Sequence, residues 1–101
     1  MSAPEFSFAD ELRFLAAQCA AHAEGTHRDQ DRQFVASLVM QLTILGEEKT
    51  SIGALIIAAV IAADTKRCPA EHLPGEIRLA ALRLNHEAAL LDRKVRKAVA
   101  A

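Results

Sequence analysis

Apolar side chains recur along most of this chain at helical spacing, and one segment breaks the rule by carrying no polar side chain at all. The first stripe runs Phe8, Leu12, Leu15, Cys19, His22, in steps that keep one face of a helix. It predicts a helix over about 8–24. Ser7 or Asp10 can cap it, and Ser7 with Asp10 three residues later matches a capping box in its weaker Asp form. Gly25 is expected to end this helix in the left-handed conformation open to glycine. Thr26 to Asp29 then form a short connection, with Thr26 or Asp29 as the next cap. A second helix, over about 29–45, turns Phe34, Val35, Leu38, Val39, Leu42 and Leu45 inward and Asp31, Arg32, Gln33, Ser37 and Gln41 outward. Gly46 is expected to close it, leaving Glu47 to Thr50 as a polar linker.

Residues 52–63 are the exception: Ile-Gly-Ala-Leu-Ile-Ile-Ala-Ala-Val-Ile-Ala-Ala. The run is too short to cross a membrane, which takes about 20 apolar residues. As a helix over about 51–66, capped by Thr50 or Ser51, it is apolar on every face and needs burial all round. Lys66 and Arg67 suit the negative end of its dipole. Gly53 in its first turn lowers helicity but permits close backbone approach.

Pro69 and Pro74 break the chain between Cys68 and Gly75, with room for one short turn at 69–72. Pro74 suits the first position of a fourth helix over about 75–99. Its seam is Ile77, Ala81, Leu84, Ala88, Leu91, Val95, Ala98, a heptad pattern over three repeats. A second row, Leu79, Leu82, Ala89, Leu90, widens the stripe enough for more than one neighbour.

These patterns predict one all-α domain over 1–101, built from four helices and assembled as a dimeric bundle. In a four-helix bundle each helix normally turns one face to water, and the third helix has no such face to offer. A second copy is the expected cover, since two-fold homodimers are the commonest oligomers. The expected dimer interface is Ile52, Leu55, Ile56, Ala59 and Val60 on the third helix with Ile77, Ala81, Leu84, Ala88, Leu91 and Val95 on the fourth.

Composition strengthens the helical reading. Of 101 residues 21 are Ala and 12 are Leu, while Gly and Pro total seven, too few turn residues for many short strands. All four Phe, at 6, 8, 14 and 34, lie in the first half, so the second half packs by aliphatic and Ala contacts. The net charge of −1 favours no partner, although residues 1–50 carry −4 and residues 51–101 carry +3. Two cysteines make no disulfide framework, and no apolar leader follows a basic start. The expected setting is a bacterial or phage-host cytoplasm with reduced thiols.

Candidate chemistry is sparse. Cys19 and His22, with Cys68 and His72, make a Cys2His2 set suited to tetrahedral zinc, but their spacings match no standard finger and Cys19 falls in an apolar stripe. His27-Arg28-Asp29-Gln30-Asp31 alternates His and acids but lacks the glycine and distal Glu of a calcium loop. His22 and His86 lie on or beside apolar stripes, where a hydrogen-bonded core or interface histidine is the ordinary outcome. Asn85-His86 could fix the register of the long helix. No nucleophile–base–acid set, phosphate-binding glycine loop or His-Glu-x-x-His pattern occurs. The basic run Arg93, Lys94, Arg96, Lys97 could neutralise phosphates without reading sequence, yet no aromatic interleaves it for base stacking.

The expected function is therefore that of a small helical protein-binding adaptor or regulator acting as a homodimer, without catalysis or a cofactor. It would bind itself and a protein whose identity the sequence does not carry, and no membrane. The first alternative is a non-specific nucleic-acid-binding protein using the basic C-terminal helix; the second is a metal-binding helical protein.

Overall fold

A computed structural model describes residues 7–100, with the side chains of 98–100 left aside. Phe6 and the Met1–Glu5 segment precede the described residues, and the side chain of Ala98, last in the seam, lies outside them. The described chain is all-α, with no strand among the described residues. Four helices follow one another: α1 (Phe8–Glu24), α2 (Asp31–Glu48), α3 (Ile52–Lys66) and α4 (Leu73–Ala100). Single 3-10 turns, Arg28–Gln30 and Ala70–His72, precede α2 and α4. No helix is long and apolar enough to cross a membrane among the described residues.

The start of α1 is fixed locally. Ser7 Oγ accepts from the Asp10 amide at 3.1 Å, and the Asp10 carboxylate accepts from the Ser7 amide at 3.3 Å. That is the reciprocal capping box expected from Ser7 and Asp10. The same bonds from Ser7, with help from Arg13, hold the Asp10 carboxyl below its usual pKa. Ser51 caps α3 similarly, its hydroxyl accepting from the Ala54 amide at 3.1 Å.

α1 ends at Gly25 as expected, but not in the left-handed conformation, and Gly46 does not end α2. Gly25 follows α1 with φ −75° and ψ −177°, an extended conformation open to any residue. α2 runs through Gly46 to Glu48, and the left-handed position falls to Thr50, with φ 50°. The amides of Thr50 and Ser51 donate to Glu47 O at 3.2 Å and Gly46 O at 2.8 Å, which makes a Schellman motif with Thr in the glycine position. Gly46 serves packing instead. A Cβ there would sit 2.9 Å from Leu55 Cδ2 and 3.3 Å from Ala54 Cβ, so its absence lets α2 and α3 close together at their turn.

α1 packs most extensively on α4 and α2 on α3, and a smaller α3–α4 contact joins the pairs. The core is Leu12, Leu15 and Cys19 of α1, Leu38 and Leu42 of α2, Ala54, Ala58 and Ile61 of α3, and Ile77, Leu84 and Ala88 of α4. Arg13 bridges to Asp92 and so pins α1 to α4. Arg32 of α2 reaches across to donate to Thr65 O at 3.3 Å and to Cys68 O, tying the start of α2 to the last turn of α3 and the chain just after it. The 3-10 turn then feeds directly into α4 at Leu73, two residues before the expected start.

Candidate interaction surface

α3 divides its apolar surface between core and solvent. Ala54, Ala58, Ile61 and Thr65 face inward and are buried. The opposite ridge carries Ile52 at 73 % exposure and Ile56 at 56 %, with Ala59 and Ala63 also exposed. On the side towards α4, Ile57 and Val60 are half-buried. α4 continues the surface with Leu82 at 66 % exposure and Leu79 at 37 %.

A cleft of about 400 Å³ runs along this junction, floored by Ile56, Ile57, Val60 and Leu82 and edged by His86 and Glu87. Its polar rim is partly satisfied: Arg83 Nη1 donates to Asp64 Oδ2 at 3.2 Å, tying α4 to α3. The Glu87 carboxylate lies against Gly53, where a Cβ would collide with Oε1 and come within 2.8 Å of Cδ. Gly53 therefore permits close approach, by a carboxylate at the positive end of α3.

The residues expected at a dimer interface fall into two groups. Ile52, Ile56, Ala59 and Val60 lie on the open α3 ridge or its α4 side, and Leu55 is half-buried beside Gly46. The fourth-helix seam is used differently. Ile77, Ala81, Leu84 and Ala88 are buried within the single chain, Leu84 and Ala88 to 0 % exposure, and Leu91 packs against the same core. α1 supplies the apolar partner that the seam needs, so Ile77, Ala81, Leu84 and Ala88 leave almost no surface open, while Leu91 stays partly exposed. Val95 is the only seam residue well exposed among the described residues, at 63 %. Of the second apolar row, Leu82 lies open beside α3 in the cleft, and Leu79 and Ala89 are also exposed.

A buried polar cluster lies at the α1–α2 corner. Asp31, the first residue of α2, is 1 % exposed. The His22 Nε2–H donates to its Oδ1 at 2.8 Å, and Arg28 Nη2 lies 3.6 Å from the same oxygen. Oδ2 is buried without a hydrogen-bond partner. The His22 ring stacks on Phe34, centroids 4.3 Å apart and planes 11° off parallel. Arg28 also donates to His22 O at 2.7 Å. Asp31, expected on an exposed helix face, is instead the acceptor that satisfies His22, and its place at the positive end of α2 favours the charge. The signal available in sequence was His22 at the end of an apolar stripe, which leaves an imidazole in need of an acceptor.

Cys19, His22, Cys68 and His72 do not converge: among the described residues no three His, Cys, Asp or Glu gather as a metal-holding group. Cys19 is buried, and burial pushes its thiol up to about 11, while Cys68 is half-buried. His27 and Asp29 are exposed. Arg93, Lys94, Arg96 and Lys97 are all exposed on the last turns of α4, where bases also offset the helix dipole. No protein-family model, curated protein or solved structure matches this chain.

Proposed function

We propose that this protein is a non-catalytic, protein-binding adaptor or regulator that works as a homodimer in a reducing, cytoplasmic setting. The exposed α3 ridge and the adjoining α4 row meet their equivalents in the second copy. The observation that carries the reading is the exposure of Ile56 and Leu82 on either side of one apolar cleft, with Ile52 exposed further along the α3 ridge and Leu79 exposed in the same α4 row. Exposed apolar patches above a few hundred Å² mark interaction surfaces. Covering a large aliphatic side chain is worth about 1.5–3 kcal/mol when fully achieved. Four side chains per copy, 37–73 % exposed, give the two copies together a gain on the order of 10 kcal/mol, against an association cost of about 4–15 kcal/mol. A reversible dimer is the expected balance.

Two charge substitutions test it together. Ile56→Asp places a carboxylate on the open ridge and is expected to leave a folded, helical monomer. Leu84→Asp places one at a fully buried site and is expected to unfold the chain, because an unpaired buried charge is costly. Molar mass by light scattering and helicity by circular dichroism separate the outcomes. An Ile56→Asp protein with the same mass as the parent overturns the proposal.

A further inference from the structure

A second groove lies on the other side of the α3 ridge, between α2 and α3. Its volume is about 490 Å³, and Val35, Val39, Ala36, Ala62 and Leu73 line it. Val35 and Leu73 are nearly buried, so the groove reaches down to the core. The Thr65 hydroxyl in its wall donates to Ile61 O at 2.7 Å and is already satisfied. The floor is therefore apolar in practice. Ala36 and Ala62 are exposed walls without bulk, so an occupant can approach both helices closely.

The charge on the groove is one-sided. Arg32 and Lys66 line it, and no acidic side chain does. Both sit at the same end, because the start of α2 and the end of α3 adjoin through the Arg32 bonds to Thr65 O and Cys68 O. Arg67, exposed, follows in sequence. Lys66 takes part in no ion pair among the described residues.

The shape limits what can bind. The walls are two helices, whose backbone groups are paired internally, so no strand edge is offered for strand addition. No aromatic side chain lines the groove, as a proline-rich ligand would require. A helix laid in the groove by its apolar face remains. This chain's own α1 is a poor candidate, since its solvent side offers one large exposed apolar residue, Phe14, rather than a row.

We propose that the α2–α3 groove holds an amphipathic helix of a partner protein, oriented by acidic residues at the end that meets Arg32 and Lys66. The inference rests on the adaptor reading and names the partner chemistry that reading lacks. The probe is a fluorescein-labelled amphipathic peptide with Leu at i, i+3, i+4 and i+7 and two Glu at one end, compared with a twin carrying Lys for Glu. Fluorescence anisotropy against the intact protein is expected to show the acidic peptide bound about fivefold more tightly than its twin, as one or two exposed ion pairs allow. Lys66→Glu is expected to erase or reverse that preference, and Ala36→Trp, which fills the groove, to abolish binding of both. Equal binding of the two peptides, no binding of either, or binding indifferent to both substitutions overturns the proposal. Light scattering on the same variants keeps the dimer separate: an unchanged mass with no peptide binding sinks the groove alone.

Discussion

The His22–Asp31 pair gives the most quantitative test of the fold, because both side chains are largely buried and their partners are known. Asp31→Ala leaves the His22 Nε2–H, 13 % exposed as a side chain, without its acceptor. An unsatisfied buried donor costs about 1–3 kcal/mol. Loss of the acid from the first turn of α2 adds about 0.3–1 kcal/mol. Relief of the unpartnered Oδ2 offsets part of this. The expected net loss is about 2 kcal/mol. His22→Phe keeps a ring against Phe34 but leaves the Asp31 carboxylate with only Arg28, at 3.6 Å, and is expected to cost a similar amount. The double variant removes both polar groups at once. Its loss should fall short of the summed single losses by at least about 1 kcal/mol, as coupled neighbours do. Urea unfolding at fixed protein concentration and pH 7, followed by circular dichroism, reads all three values. Additivity within about 0.5 kcal/mol would refute the pairing.

Two further predictions concern single residues. Thr50→Asn should stabilise the protein by about 1 kcal/mol in the same urea assay, since a β-branched residue at φ 50° is strained and Asn tolerates that region; a loss of stability would show that Thr50 is not the strained C′ position. Native alkylation should modify Cys68 readily and Cys19 only on unfolding. As an acid with a raised pKa, Cys19 also ionises first in the unfolded chain, so it stabilises fully below about pH 9 and that contribution fades towards about 11; native labelling of Cys19 at the rate of Cys68, seen by mass spectrometry, would contradict its burial.

Much of the fold was legible in the sequence because helical periodicity is a local property. The stripe Phe8, Leu12, Leu15, Cys19 and the row Val35, Leu38, Leu42 face the core as their spacing requires, and Ser7 with Asp10 marks the start of α1. Helix ends were less legible. Thr50 takes the left-handed position expected of Gly46, because the close approach of Ala54 and Leu55 demands a missing side chain at 46, a contact that no local pattern encodes. The destination of the α4 seam was also hidden. A heptad row states that it needs an apolar partner but not whether that partner is α1 or another copy, and α1 takes it. The exposed ridge on α3 follows from the same fact seen from the other side: its small inward residues Ala54 and Ala58 pack closely, and the bulky Ile52 and Ile56 are left outside. The burial of Asp31 is set by the corner between α1 and α2, which no local pattern encodes.

The central claim is that this outward ridge is covered by a second copy. Multi-angle light scattering of the intact chain over a concentration series tests it most directly. The account predicts a mass that rises towards twice the 10.9 kDa of one chain. A folded protein that stays at 10.9 kDa into the high micromolar range would contradict it.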